Sequence, residues 1–407
     1  MLRSPTIMQI IPRLDTGGAE LSAIEINSAV VAAGGRSIVV TEGGRMADRI
    51  TADGGELQIL RTGTKNPFRI LRNVSNVRLL AVLEGVDLIH ARSRAPAWSA
   101  LIAAHQAGIP FVTTYHGAYA EKSRIKNLYN SVMARSDAVI ANSHYTGRLI
   151  QTRYGTPDDR IRVIHRGVDE AQFDPAKVSA RRLEAMRTKL GLAPGQKMIL
   201  QAARLTSWKG QPVLIDAAAR LVKSGKLDDA VVVMAGDAQG RDAYARHLEA
   251  DIERLGLTGK VRLAGHVDDI PAALALAWVA VIASTEPEAF GRSVTEAAAM
   301  QCPAIATDIG APPETVLAPS KVPVEKITGW LVPPGDAAEL SLRLEQALAL
   351  TSAQRTALGS RARAHVLYNF SLTSMKRATL ATYDELLGTN LAERFISTLS
   401  PTKRLDP

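Results

Sequence analysis

A single cysteine stands in 407 residues. That excludes a disulfide framework and suits a reducing compartment. Cys302 itself fits a small, buried apolar residue. Aromatic residues are only 4% of the chain and none is interleaved with basic runs, which argues against a stacking platform for single-stranded nucleic acid. Helix-turn-helix and zinc-finger signatures are missing, so no nucleic-acid partner is expected. The longest apolar run, Pro271 to Ala283, falls short of the ~20 residues that span a bilayer. Residues Met1 to Ile7 hold no apolar stretch of secretory-signal length. The expectation is a cytoplasmic protein. Also missing are G-x-G-x-x-G after the first strand, which counts against a dehydrogenase, and G-x-S-x-G, which counts against a nucleophile elbow. No D-x-D occurs and no His/Cys/Asp cluster has metal-ligand spacing, so neither a metal site nor a cofactor is expected.

What is present begins with size. The chain is too long for one ordinary core, and 46% apolar content is that of a globular protein. Two domains follow. The net charge of +9 is uneven: residues 1–170 hold 21 Lys+Arg against 15 Asp+Glu, the remainder 28 against 25. Such a balance attracts phosphates or an anionic surface.

Short Val/Ile-rich runs alternate with helix-length segments. The first series is Ile7–Ile11, Ser37–Thr41, Leu57–Leu60, Asp87–His90, Phe111–Thr114, Ala138–Ala141 and Ile161–Ile164. The second is Lys197–Gln201, Ala230–Ala235, Val261–Ala264, Val279–Ala283, Ala304–Thr307 and Trp330–Val332. This pattern predicts α/β architecture with parallel sheets covered by helices on both faces. Turn signals between Asp169 and Gly195 separate two doubly wound, Rossmann-like domains. The division falls at residues 1–172, 173–369 and a final segment 370–407. Ligands of such sheets bind beyond the C-terminal strand ends, near the point where strand order reverses, so two facing sheets would leave a cleft.

The motifs follow strands. After Ile7–Ile11 comes a loop with Gly17 and Gly18, where backbone can approach a ligand; the bland alternative is an ordinary strand–helix turn. After Lys197–Gln201, Arg204 and Lys209 stand in a strand-to-helix loop. One is a fork and the other a point charge, and together they can neutralise a diphosphate. Alone, two such residues are as well explained by a solvated surface. Glu288 and Glu296 stand eight apart around Phe290-Gly291. A helix starting there would offer N–H groups and partial positive charge to a diphosphate, with carboxylates to take sugar hydroxyls. The competing explanation for Glu296 is a capping box with Ser293; for Glu288 it is a solvated acidic loop beside Glu286. His116 follows Phe111–Thr114, and Gly310 follows Ala304–Thr307. From Glu121 to Arg135, apolar residues Ile125, Leu128, Tyr129, Val132 and Met133 fall at helical spacing among Lys122, Arg124, Lys126 and Arg135. That predicts either a helix packed on its own sheet or a face that docks on anionic lipid.

Taken together these residues resemble glycosyltransferase family 4, retaining enzymes with the GT-B fold. The resemblance covers nearly the whole chain. It rests on Gly17-Gly18, Tyr115-His116-Gly117, the stretches Ala141 to Thr146 and Val163 to Asp169, Arg204 to Gly210, Glu286 to Gly291, and Glu296. It implies a nucleoside-diphosphate hexose as donor and a saccharide or lipid-linked saccharide as acceptor, in lipopolysaccharide core or surface polysaccharide synthesis; the basic segment Lys122–Arg135 favours the lipid-linked acceptor and contact with the inner face of the cytoplasmic membrane. It implies Glu288 and His116 near the transferred sugar, Arg204 and Lys209 on the diphosphate, and Glu296 on the ribose. Phe290, Gly291, Gly310, Gly17 and Gly18 would contribute backbone contacts. It implies no divalent metal, and a helix from about Phe370 to Leu387 that crosses back to the first domain. Two positions depart from the family pattern: Ala203 precedes Arg204, and Ala311 follows Gly310. Alternatives are a nucleotide-sugar epimerase of the same two-domain plan and a non-catalytic nucleotide-sugar binding protein.

Overall fold

The computed structural model describes residues 4–15, 17–117 and 123–399. The chain forms two compact units. One comprises Met1–His165 with Thr373–Pro407, the other Arg166–Leu372.

The first unit is built on seven strands: β1 (Thr6–Ile10), β2 (Arg36–Thr41), β3 (Glu56–Ile59), β4 (Leu88–Ala91), β5 (Phe111–Tyr115), β6 (Ala138–Ala141) and β7 (Ile161–Val163). Their order is β3-β2-β1-β4-β5-β6-β7, and every pairing is parallel. Helices on both faces explain why β1 is apolar at successive positions. Ile7, Met8 and Ile10 are all fully buried. Strand order reverses between β1 and β4, with Ile7 opposite Leu88 in register.

One polar cluster is built into this core. Arg92, just past β4, donates from Nε and Nη2 to Gln9 Oε1 of β1 at 2.9 and 2.6 Å. His90 contacts Thr114 Oγ1 at 2.8 Å through Nε2 and the Tyr383 hydroxyl at 2.6 Å through Nδ1. Tyr383 belongs to the helix Leu372–Leu387, which therefore reaches the sheet from the far end of the sequence. Burial, reinforced by the Arg92 charge, holds the His90 imidazole well below its ordinary value. Burial also pushes the Tyr383 phenol up to about 12. Both stay neutral.

The second unit has six strands: β8 (Lys197–Ala202), β9 (Ala230–Ala235), β10 (Val261–Gly265), β11 (Val279–Ile282), β12 (Ala304–Thr307) and β13 (Gly329–Val332). All pairings are again parallel, in the order β10-β9-β8-β11-β12-β13. The reversal lies between β8 and β11, where Val279 pairs with Ile199. Apolar clusters cover both faces of the sheet. Cys302 is fully buried in one of them.

All thirteen expected strands are strands, with ends displaced by at most one residue. The segment 121–135 differs from expectation. Glu121 and Lys122 lie outside the described residues. The helix runs only from Arg124 to Asn130, and Ser131–Ala134 tightens into a 3₁₀ turn. The turn redirects the apolar residues, so Val132 and Met133 are buried while Ile125 and Leu128 are exposed. One continuous helix would have put all four on a single face.

Candidate active site

Three loops of the second unit converge beyond the C-terminal ends of β8, β11 and β12. The first leaves β8 and passes Arg204. It then makes a short 3₁₀ turn, Ser207–Lys209, and turns at Gly210 into the helix Gln211–Lys223. Gly210 has φ +70, and a Cβ there would lie 1.8 Å from Ala283 O. Only glycine lets this loop lie directly against the end of β11. The Thr285 N–H completes the contact by donating to Trp208 O at 2.8 Å.

This packing brings Lys209 to Glu288. Nζ donates to Oε1 at 2.8 Å, with side chains 14% and 11% exposed. The Ser284 hydroxyl, itself buried, donates to the same oxygen. Lys209 Nζ also stands 4.3 Å from the centre of the Trp208 ring, a cation–π contact. Gln201 Nε2 fixes the turn from below by donating to Lys209 O at 2.8 Å. The ammonium is thus held by a carboxylate on one side and an aromatic face on another.

Gly310 positions the loop carrying Glu288. The two residues form an isolated parallel bridge, and the Ala311 N–H donates to Glu288 O at 2.9 Å. Gly310 has φ +74, and a Cβ would stand 2.5 Å from Glu288 O. Three residues on, Gly291 (φ 82) opens the helix Arg292–Ala299. Phe290 points away from this edge. Its side chain is buried, with its ring centroid 6.0 Å from that of Phe370. Any contribution of Phe290 to a ligand comes from its backbone.

The capping box that competes with a ligand role for Glu296 does not form. Gly291, in the left-handed region, takes the N-cap position, which places Ser293 inside the helix. The Ser293 hydroxyl donates to Ala202 O at 3.3 Å, tying the helix to the end of β8. Glu296 is paired one turn back with Arg292 Nε at 3.4 Å. Arg204 shares the edge but not the cluster. Its side chain is exposed and has no bonded partner among the described residues, while its carbonyl accepts from Gln211 Nε2 at 3.0 Å.

In the first unit, Gly17 precedes the helix Gly18–Ala32 just beyond β1, on the side of that sheet's reversal. Its φ of 160 is ordinary extended backbone. His116 follows β5 and is half-buried. The Arg92–Gln9 pair at this reversal had no sequence signal.

Of the residues expected to form the site, the structure thus joins Lys209, Glu288, Gly310 and Gly291 around one edge, with Glu296 on the adjoining helix. Ser284, Trp208 and Gln201 were not expected. Nothing in their spacing marks them, because each acts by touching a neighbour from another loop. No group of three or more His, Cys, Asp or Glu among the described residues could hold a metal ion.

Family models match both parts of the chain. Residues 16–172 match "Glycosyltransferase Family 4" and residues 183–365 match "Glycosyl transferases group 1". A glycosyltransferase from Rickettsia africae is 32% identical in sequence. It superposes with a TM-score of 0.86, covering 95% of this chain and all of that one. HepE of Anabaena, solved with UDP and glucose, is 25% identical with a TM-score of 0.80, over 94% of this chain and all of its own. Among curated proteins, a D-inositol 3-phosphate glycosyltransferase of Jonesia denitrificans is 28% identical over 73% of this chain and 76% of its own length. The lipopolysaccharide core biosynthesis mannosyltransferase LpcC of Rhizobium leguminosarum is 29% identical over 64% and 67%.

Proposed function

The chain belongs to glycosyltransferase family 4, with the GT-B fold, and on that premise we propose that it moves a hexose from a nucleoside-diphosphate sugar to an anionic saccharide or lipid-linked saccharide. The carrying observation is the Lys209–Glu288 pair, 2.8 Å apart across the strand reversal of the second sheet. A cation there meets the diphosphate, and a carboxylate beside it meets sugar hydroxyls.

In this reaction the bond between the anomeric carbon and the phosphate oxygen breaks, and the leaving diphosphate keeps the electron pair. Lys209 and the solvent-facing Arg204 stabilise the charge that grows on it. No divalent ion is then required, and chelation by EDTA should leave turnover unchanged. The acceptor oxygen bonds to the same face of the anomeric carbon, and its proton passes to the departing phosphate, so configuration is retained. Glu288 orients the sugar through the oxygen that Ser284 and Lys209 leave open. Glu296 takes the ribose, the backbone around Phe290, Gly291 and Gly310 lies along the donor, Gly17 and Gly18 also serve the donor, and His116 serves the reacting sugar and the acceptor.

The donor class is supported by HepE, solved with UDP and glucose. The acceptor class is supported by the excess of basic residues before position 170 and by the two curated relatives, one named for an inositol phosphate and one for lipopolysaccharide core. Peripheral contact with an anionic membrane through the Lys122–Arg135 region, at its cytoplasmic face, belongs to the same proposal. The test is a thermal-shift screen against UDP, GDP and ADP. It is followed by turnover of a nucleotide-sugar panel with saccharide and lipid-linked acceptors. A ligand at 100 times its Kd raises stability by about 2.7 kcal/mol, so the cognate nucleotide should stand out. Interconversion of sugars without nucleotide release would mean epimerisation instead, and binding without turnover would mean a non-catalytic protein.

A further inference from the structure

The helix Pro67–Leu83 of the first unit is apolar on two opposite faces. Its inner face buries Val74, Val77 and Ala81. Its outer face presents Phe68, Leu71, Leu79, Val82 and Leu83 to solvent, with Phe68 81% exposed. At 100° per residue these five fall within about 120° of arc. A surface helix normally turns charged residues outward. Here the only charges are Arg69, Arg72 and Arg78, all exposed, and no Asp or Glu occurs from Pro67 to Leu83.

This helix forms one wall of a groove of about 810 Å³ whose other walls are the helices Arg94–Ala107 and Arg124–Asn130. Ile70, Leu71, Trp98, Ile102 and Ile125 supply its apolar lining. Trp98 and Arg94 tie the second and third walls together: the indole N–H donates to Tyr129 O at 3.1 Å and Arg94 Nη1 to Asn130 Oδ1 at 2.7 Å. Lys65, Arg94 and Lys126 stand among the lining residues, and among the described residues no carboxylate does.

We propose that this groove takes a hydrocarbon chain of an anionic phospholipid, with the headgroup phosphate among Lys65, Arg94 and Lys126, while the outer face of the helix Pro67–Leu83 rests in the bilayer interface. The inference rests on the membrane contact proposed above and adds a lipid site and a second helix to it. Charge selects the occupant. A second copy of this chain would set Arg69, Arg72 and Arg78 against a like-charged surface in any two-fold contact, whereas an anionic bilayer matches both the arginines and the apolar side chains between them. No helix among the described residues is long and apolar enough to cross a membrane, so the contact is interfacial.

The test uses the full chain and vesicles whose phosphatidylglycerol carries brominated acyl chains, which quench a tryptophan they touch. Trp208, Trp278 and Trp330 lie in the second unit, leaving Trp98 as the reporter of the groove. The expected result is binding to phosphatidylglycerol vesicles with quenching, both absent with phosphatidylcholine, and quenching lost in Trp98→Phe while binding persists. The double variant Leu71→Glu/Ile125→Glu should bind at least about tenfold more weakly, a loss of about 1.4 kcal/mol. Because both side chains are solvent-facing, its melting temperature and its nucleotide-induced shift should not change. Vesicle binding without quenching would overturn the groove and leave only surface contact. No binding would overturn the membrane contact as well, while leaving the donor site to the nucleotide screen. Concentration-dependent self-association abolished by the double variant would overturn the lipid in favour of a second copy.

Discussion

Lys209 Nζ lies 2.8 Å from Glu288 Oε1, and the two residues stand on loops from strands on opposite sides of the reversal in the second sheet. Each therefore satisfies the other before any ligand arrives. On the proposed function, a diphosphate that takes Lys209 would compete with the Glu288 carboxylate, and donor binding would exchange one ion pair for another.

The exchange separates the two residues experimentally. Glu288→Gln removes the competitor, so nucleoside diphosphate binding should hold or tighten while kcat falls by about 10²-fold, the scale of losing one transition-state contact. Lys209→Ala should weaken both. Lys209→Ala leaves the largely buried Glu288 carboxylate without its cation, at a cost of about 1–3 kcal/mol, whereas Gln at 288 keeps an oxygen that accepts from Lys209 and costs less. Lys209→Met with Glu288→Leu should recover part of that stability and none of the turnover. Equal nucleotide affinity in Glu288→Gln and Lys209→Ala would refute the exchange.

Gly310 permits the loop geometry on which this depends. Gly310→Ala places a Cβ 2.5 Å from Glu288 O at φ +74. It should cost about 1–3 kcal/mol and displace Glu288. The readout is a raised donor KM with a lowered melting temperature, and a full-activity Ala variant would show that the loop position is immaterial.

His90 predicts a pH dependence. Its native pKa lies below the ordinary 6.5 through burial and then the Arg92 charge, so the fold keeps it neutral while the unfolded chain takes a proton. Stability from this group is full above about pH 6.5 and drains away as pH falls below it. The half-buried His365 is lowered in the same direction by desolvation. Paired carboxylates such as Glu56 and Asp269 are lowered from already acidic values, so their losses come at lower pH. Urea midpoints at pH 7.5 and 5.5 should therefore differ, and His90→Gln should narrow the difference. An unchanged gap would remove His90 as its source.

Cys302 offers an internal probe of unfolding. Burial pushes its thiol up to about 12, and the thiolate is the reactive form. It should resist a thiol reagent such as dithiobisnitrobenzoate in the native protein and react in urea with the same midpoint as circular dichroism. Prompt labelling without denaturant would contradict the packing around it.

The strands were legible because a parallel strand buried on both faces leaves a short, nearly continuous Val/Ile run; Ala138–Ala141, Ala230–Ala235 and Ala304–Thr307 were bounded to the residue. The positions of Arg204, Lys209 and Glu288 were legible because strand-end loops carry the ligands of such sheets. Their direct pairing was not, since nothing local links residues 79 apart in sequence. The capping box does not form because Gly291 offers an αL start two positions before the N-cap that the Ser293 pattern implies. The helical pattern through Arg135 failed because spacing does not register a 3₁₀ turn. The outward apolar face of the helix Pro67–Leu83 has no signature in the sequence, because an apolar stripe says nothing of which way it points.

The Tyr383–His90 contact spans 293 residues of sequence, and this bears on how the chain is born. A ribosome adding about 5–20 residues per second releases the whole first sheet, then works for roughly 10 to 40 s before Tyr383 is made. Throughout that interval His90 waits beside a vacant partner position, while the second sheet, contiguous in sequence, emerges complete. The unit begun first is thus finished last, and a nascent chain halted after residue 372 should mature its second half ahead of its first.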